Sequence, residues 1–307
     1  MYPPPVVTFS DPNITANRFM QSPAFVARAL QTFAQYRYVG ASLLKGRQTL
    51  KGGAILYELV AGIFADSAAE PVAPGSAYTR GTVSLGPAAL AKAQKQGKDY
   101  PILDESIAES NYDPIRLAMT KAVNSAELLI DQTILAAIVS AVTTTQNATA
   151  VWNRSGTAPT ILQDVLLSTA RIAGANLGYK PDTLLVDDTT WAYMGSDSVI
   201  AQAMARETNT NTVDTGQFPR LAGLDVVHIP TANMPGGVNT GAWVFDSHQL
   251  GFIGQQELGG GYLSAGDLVE SKVLRDDDID GWRLRVRTNF VPVINNPLAG
   301  VKISGVN

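Results

Sequence analysis

The sequence has no cysteine and only two histidines, and charged residues make up just 16% of its 307 residues. The absence of cysteine excludes disulfide scaffolds, cysteine-ligated zinc, iron–sulfur clusters and thiol nucleophiles. The two histidines, His228 and His248, argue against a histidine-rich metal site and against a mechanism that needs several imidazoles. We therefore predict no cofactor and no bound metal.

The sequence also lacks an apolar run long enough to cross a membrane. The nearest one, Leu128–Val142, is interrupted at Asp131, Gln132 and Thr133. The first residues, Met1–Pro5, show no basic region followed by an apolar stretch, so they do not resemble a signal peptide. We expect no contact with a membrane.

The few charges are unevenly distributed. Residues 1–57 carry six basic side chains and one acidic one, a net charge of +5, whereas the rest of the chain carries −9. A basic segment on an acidic body can contact nucleic acid or an acidic neighbour, and a loosely solvated segment is an equally good explanation. The six basic residues are Arg18, Arg28, Arg37, Lys45, Arg47 and Lys51.

The N-terminal third reads as an extended arm, a helix and a long hairpin. Residues 1–21 show no apolar periodicity, and a helix is predicted from Ser22, with Pro23 in its first turn, to near Arg37. Strand-like residues then run over Ala54–Phe64 and resume at residues 82–85. The seventeen residues between them, 65–81, are small, polar and rich in proline and glycine. Such a loop needs a packing partner elsewhere.

The strongest local pattern is a long helix after Asp113. This residue is a good N-cap, Pro114 suits the first turn, and apolar residues recur at helical spacing to Val142. The 29 residues would span roughly 44 Å. Between them, a partly polar face is predicted from Lys121, Ser125, Glu127, Asp131 and Gln132.

The middle of the chain alternates helices and strands, and its last third is mainly strand, so the predicted class is α+β. The predicted helices are 160–177, ending at Gly178, one around Trp191 capped by Asp187 or Asp188, and 196–207. The predicted strands are 183–186, 224–229, 242–245, 267–274, 282–293 and 299–306.

Within the strand 282–293, apolar residues alternate with three arginines. Trp282, Leu284 and Val286 should share one face, and Arg283, Arg285 and Arg287 the other. Guanidinium groups pair with carboxylates or with phosphates. Because this part of the chain is acidic, carboxylate partners within or between subunits are favoured over phosphate.

No motif in the sequence indicates catalysis or a bound nucleotide. Residues 276–281 begin like a calcium loop, but the twelfth position, which should be glutamate, is Arg287, and a strand follows instead of a helix. Gly259–Gly261 is not followed by a helix with dinucleotide-binding spacing. We interpret the acidic segment as a solvated turn and His228 as an ordinary strand residue.

The order of these parts resembles the major capsid protein of tailed phages of the Hong Kong 97 type. Specific stretches agree, among them Ser22–Val26, Asp182–Asp187, Gly223–Val227 and Gly281–Ile303. The resemblance implies an HK97-like capsid fold with an N-arm, an E-loop hairpin, a long spine helix, an A-domain and a P-domain. The implied boundaries are 1–50 for the arm and short helix, 51–103 for the E-loop region, 104–150 for the spine, 151–262 for the A-domain and 263–307 for the returning P-domain strands.

The resemblance also implies a role. The chain would be no enzyme but a virion protein, made in the bacterial cytoplasm, that self-assembles as pentamers and hexamers into an icosahedral head around double-stranded DNA. Its partners would be copies of itself, packaged DNA, a portal, possible decoration proteins and a separate scaffold or none, since the arm starts at Met1. Contacts between subunits are expected at Arg283, Arg285 and Arg287 and, in the E-loop, at Leu59, Ile63, Phe64, Glu70, Tyr78 and Arg80. The six basic residues of the N-terminal segment would be candidates for the inner surface of the head.

Some members of that family cross-link an E-loop lysine to a neighbouring subunit. Residues 65–81 contain no lysine, and Lys92, Lys95 and Lys98 lie beyond them. We therefore predict no covalent cross-links between subunits.

Two other functions are compatible with the sequence. An encapsulin, a cellular compartment with the same fold, would enclose cargo enzymes instead of DNA. An α/β enzyme with an unrecognised site is less favoured, because no cluster of histidine, aspartate and glutamate stands out.

Overall fold

The computed structural model describes residues 18–33, 39–59, 70–80, 86–109, 113–153, 160–197, 199–200, 220–234 and 241–306. The helices are α1 Pro23–Phe33, α2 Gly40–Leu43, α3 Asp104–Glu109, α4 Pro114–Ala141, α5 Ile161–Gly174 and α6 Asp188–Ser196. The strands are β1 Gly46–Thr49, β2 Ala54–Glu58, β3 Ala88–Lys92, β4 Gln94–Leu103, β5 Thr145–Asn147, β6 Thr183–Asp187, β7 Arg220–Leu221, β8 Leu224–Ile229, β9 Ala242–Phe245, β10 Phe252–Gln255, β11 Leu263–Ser264, β12 Val269–Asp276, β13 Gly281–Val293 and β14 Gly300–Ser304.

The predicted long helix is α4, which we call the spine helix. Its 28 residues span about 42 Å. Asp113 caps it by accepting hydrogen bonds at Oδ1 from the backbone N–H groups of Ile115, at 3.1 Å, and Arg116, at 3.2 Å. The start of this helix therefore follows directly from the local sequence, because these amides would otherwise lack a partner.

The spine helix is a core element. Although its apolar residues are interrupted by polar ones, its length and composition would suffice to cross a membrane, but half of its most apolar stretch is buried inside the protein. Ile130, Ile134, Leu135 and Ile138 are fully buried, and the helix packs on strands β4 and β13. The predicted polar face is wrong in part, because Glu127 and Asp131 are each only 1% exposed.

The described residues form two six-stranded sheets, and the first of them packs against the spine helix. The first has the order β1-β10-β13-β12-β11, and β4 pairs with β13 as well. Its centre is β13, which pairs antiparallel with β4 over residues 94–103 and with β12 over residues 269–276. The second has the order β5-β14-β9-β6-β8-β7. The strands β6 and β9 at its centre are buried along their whole length. Strands β2 and β3 form a separate hairpin.

Several predicted boundaries differ from the structure. The helix expected to reach Gly178 ends at Gly174, because Asn176 takes a positive φ of 56° and Tyr179 turns into the core. The first strand of the hairpin ends at Glu58, and residues 60–69, 81–85 and 201–219, with the predictions made for them, lie outside the described residues. The strand β4 was not predicted, since its lysine, glutamine, glycine and proline residues do not form an apolar strand pattern.

Candidate assembly surfaces

The β2–β3 hairpin carries an apolar pair on its surface. In its antiparallel register Leu56 lies opposite Leu90, and residues directly opposite each other point to the same face. The two side chains are 69% and 70% exposed. Large apolar side chains that lie exposed beside each other are typical of a surface that another molecule covers.

Four of the six residues predicted to make E-loop contacts lie in the described part of the chain. Leu59 is partly buried, whereas Glu70, Tyr78 and Arg80 are exposed, Tyr78 to 84%. Ile63 and Phe64 lie outside the described residues. Leu56 and Leu90 were not singled out from the sequence, because their exposure depends on strand pairing and not on composition.

A second apolar surface lies on the outward side of α5. Leu166, Leu167 and Val199 are 49%, 44% and 57% exposed. Together with Leu162 and Ala170 they line an open cavity of about 510 Å³. Nothing in the sequence distinguished these leucines from the buried ones on the same helix, since the helix is apolar on more than one side.

The three arginines of β13 lie on the sheet face that turns away from the spine helix. Their apolar neighbours Trp282, Leu284 and Val286 are buried, and this alternation is the one predicted. Each arginine pairs with a carboxylate of the same chain: Arg283 with Asp276 at 2.9 Å, Arg285 with Asp99 at 2.6 Å and Arg287 with Glu270 at 2.6 Å.

The pair between Arg285 and Asp99 is bidentate, because the guanidinium Nε and Nη2 each donate to one carboxylate oxygen at 2.6 Å. These hydrogen bonds hold the pKa of Asp99 below its usual range, although partial burial opposes the shift. The same contact raises the pKa of Arg285. Sequence reasoning missed Asp99 because the two residues are 186 positions apart.

Arg287 is enclosed on several sides and only 5% exposed. Its guanidinium carbon lies 3.4 Å from the centre of the Tyr262 ring, and Nη2 donates to the carbonyl oxygen of Gly259 at 2.8 Å. Gly97 lies opposite it on β4, where a Cβ atom would come within 3.0 Å of the arginine Cβ. Arg287 therefore fastens residues 259–262 to the sheet and is not open to a phosphate.

Two of the six basic N-terminal residues are engaged with acidic groups of the body. Lys45 Nζ lies 3.0 Å from Asp182 Oδ2, and Arg47 Nη2 lies 2.7 Å from Asp267 Oδ2. Arg18, Arg28 and Lys51 are exposed, and Arg37 lies outside the described residues. The basic residues thus do not form a single free patch.

Asp182 is the best satisfied of these acidic groups. It accepts hydrogen bonds from the N–H of Ser247 at 2.8 Å, from the Ser247 hydroxyl at 2.6 Å and from Lys45. Burial alone would raise its pKa, but these donors outweigh it and hold the pKa at about 2. The carboxylate joins the N-terminal segment to residues 246–248 of the body.

The acidic turn and His228 are the remaining candidates from the sequence. Among the described residues no group of three or more His, Cys, Asp or Glu side chains is placed to hold a metal ion. In the acidic turn, Asp276 pairs with Arg283 and Asp277 with Arg275. His228 stacks beside Trp191, with 5.6 Å between ring centres. The described candidate residues therefore lie on exposed surfaces or in ion pairs within the chain.

Residues 87–303 match the family model described as phage capsid protein. This is well over half of the chain, so the protein belongs to the phage capsid protein family. No curated protein sequence matches it at a significant level. The resemblance inferred from the order of its elements is thereby confirmed, and the protein is a structural constituent of the phage shell.

Solved structures show the same fold. The capsid structure of the cyanophage P-SCSP1u is 14% identical, with a TM-score of 0.66 over 87% of this chain and 88% of that chain. A structure from Microbacterium phage Oxtober96 is 10% identical, with a TM-score of 0.61 over 88% and 91%. The virus-like particle from Pyrococcus furiosus is 13% identical, with a TM-score of 0.54 over 91% and 97%. The α+β, HK97-like fold class is confirmed.

Proposed function

We propose that copies of this chain form the pentamers and hexamers of an icosahedral head that encloses double-stranded DNA. The observation that carries the proposal is the β2–β3 hairpin, on which Leu56 and Leu90 are 69% and 70% exposed. An apolar surface of this kind gains free energy only when another molecule covers it. In a closed shell that molecule is the neighbouring copy, and symmetry repeats the contact many times.

The hairpin and the residues beyond it would act as a reaching arm between subunits. Tyr78, Glu70 and Arg80 are exposed in the same region and would extend the contact, together with Leu59, Ile63 and Phe64. The spine helix and the sheet around β13 would supply a stiff plate from which this arm projects. Each contact is modest, and their repetition around the shell makes the assembly stable.

The three arginines of β13 would stiffen the sheet within each subunit. Their carboxylate partners belong to the same chain, so we assign them to the rigidity of the sheet in preference to a subunit contact or phosphate pairing. Stiffness of this sheet matters because a shell subunit transmits load to its neighbours.

We further propose that Arg28 and Lys51 contact packaged DNA without sequence preference. Both are exposed basic residues, whereas Lys45 and Arg47 are held by Asp182 and Asp267. Contacts of this kind depend on charge and weaken as salt increases. The family resemblance implies a portal, decoration proteins and a scaffold as further partners. It also implies the boundaries of the five segments given above.

Electron microscopy of the purified full-length protein tests the proposal. We expect closed shells, or capsomers that close when scaffold is supplied. A compact monomer at high concentration would contradict it. Nuclease-protected DNA in particles from infected cells supports a phage head, while enclosed protein would instead support the encapsulin alternative.

A further inference from the structure

Two acidic side chains lie on the buried side of the spine helix. Glu127 and Asp131 are each 1% exposed, and residues four positions apart lie on the same helix face. Within the described part of the chain, neither carboxyl oxygen of Glu127 has a hydrogen-bond partner. A buried ionised carboxylate without a partner is strongly unfavourable, so the group is more stable in the core when it carries a proton.

Asp131 has a different environment, because it joins three segments of the chain. Its Oδ1 accepts a hydrogen bond from the N–H of Gly40 at 2.8 Å, and it also accepts from the N–H of Val39 and the side chain of Asn233. Val39 precedes α2 and provides no side-chain cap of its own. Asp131 therefore caps α2 from the spine helix and fixes residues 39–43 there.

The packing at this junction leaves little room. A Cβ atom on Gly40 would lie 2.9 Å from Oδ1 of Asp131 and 3.0 Å from its Cα. The α2 segment thus sits directly on the spine helix, and even a small displacement of Asp131 would disturb its contact. One turn away, Glu127 occupies the same buried face of the helix.

Among the described residues, the charged neighbour that acts on Glu127 is Asp131. Burial is the main cause that raises the pKa of Glu127 to about 7, and the charge of Asp131 adds to it. Residues 40–43 of α2 carry no ionisable side chain, and Asn233, which packs at the same junction, is neutral. No basic side chain among the described residues offsets the carboxylate.

We propose that Glu127 is a proton-controlled latch for the segment Val39–Leu43. While Glu127 carries a proton, Asp131 holds this segment on the spine helix; when the proton is lost, two adjacent negative charges lie in the core and the segment is released. The latch belongs to the folded subunit and does not depend on the proposed capsid function. In a shell, the packing of the segment Val39–Leu43 against the spine helix would therefore depend on pH.

The direction of the pH dependence follows from the linkage between proton binding and docking of the segment. The pKa of Glu127 is about 7 with the segment in place and near the ordinary 4.5 once the group is exposed, so the docked form binds more protons and is favoured at low pH. Docking should weaken by roughly tenfold between pH 6 and pH 8 if release exposes the carboxyl fully.

Hydrogen exchange of the full-length protein tests this latch. The exchange rate of a peptide covering residues 39–44 is compared at pH 6 and pH 8 in the wild type and in Glu127→Gln, which mimics the protonated acid. Because the intrinsic effect of pH is the same in both, we expect the wild-type rate to rise roughly tenfold more than that of the variant. Glu109→Gln, at an exposed carboxyl of α3, should behave like the wild type.

Equal pH dependence in the wild type and Glu127→Gln would overturn the latch, as would a loss of pH dependence in Glu109→Gln. Asp131→Asn is a second variant that decides the matter if Glu127→Gln does not fold. It keeps an oxygen for the Gly40 amide but removes the neighbouring charge, so the excess rise between pH 6 and pH 8 should be clearly smaller than in the wild type. An unchanged rise in Asp131→Asn would also count against the latch.

Discussion

Leu56 and Leu90 face each other across the β2–β3 hairpin and remain largely exposed, to 69% and 70%. Cross-strand pairs stabilise a hairpin only modestly, and burial of a leucine side chain against a partner is worth about 1.5–3 kcal/mol. The pair therefore has more to contribute between subunits than within one.

We predict that replacing both leucines by serine, Leu56→Ser with Leu90→Ser, prevents or strongly weakens shell assembly while the subunit stays folded. The reason is that every copy would lose the same apolar contact. Sedimentation and electron microscopy measure assembly, and circular dichroism checks the fold. Leu298→Ser is the matched control, because Leu298 is 51% exposed outside the hairpin; equal loss of assembly in both proteins would argue against a special role of the pair.

The carboxylate of Asp182 should make stability depend on acid. Its pKa is about 2 in the folded protein against an ordinary 3.8, so it contributes stability at neutral pH that is lost as the pH falls from about 4 to about 2. The shift corresponds to about 2 kcal/mol. Asp182→Asn should lower the free energy of unfolding at pH 7 by that order, and its difference from the wild type should shrink at pH 2–3.

A matched control for this prediction is Asp225→Asn. Asp225 pairs with Arg220, but both side chains are more than half exposed, 53% and 69%. Exposed pairs contribute little to stability, so the effect should be small. A difference between Asp182→Asn and the wild type that persists undiminished at pH 2 would contradict the assignment of the stability to the ionised carboxylate.

Gly97 is required by the close approach of β4 to β13. A Cβ atom there would lie 2.8 Å from the carbonyl oxygen of Val286 and 3.0 Å from Cβ of Arg287. Gly97→Ala should therefore destabilise the protein by about 1–3 kcal/mol, as overpacking does, in chemical unfolding. Gly174→Ala, where an added Cβ atom would meet none of the described residues within 4 Å apart from the backbone of its own helix, should change stability by less than about 1 kcal/mol.

Mature particles should contain no covalent bonds between subunits. Residues 65–81, the predicted E-loop tip, lack lysine, so an amide cross-link from the tip has no amine to start from. On a denaturing gel, boiled particles should give one band at the subunit mass of 32.6 kDa. A ladder of multimers would show that a lysine outside the tip, such as Lys92, takes part.

Local rules predicted the features that depend on neighbours in the sequence. The N-cap Asp113 and Pro114 set the start of the spine helix, and the alternation at Trp282–Val286 set which face of β13 is buried. The capping of α6 by Asp187 follows the same logic, since its Oδ1 accepts from the N–H of Thr190 at 3.0 Å. The polar strand β4 was not predicted, because its strand conformation depends on pairing with β13, which is distant in the sequence.

The amino-acid sequence by itself determined the class of protein: the order of arm, hairpin, spine helix and strands, and the low charge that suits buried contacts. Only the tertiary structure decided which charges are neutralised and which apolar residues stay exposed. Asp99 meets Arg285 across 186 positions, and Gly40 meets Asp131 across 91. Helical periodicity predicts which side chains share a face of the helix, but it does not predict what packs against that face. For this reason the sequence predicted Glu127 on a polar face, although the residue lies in the core.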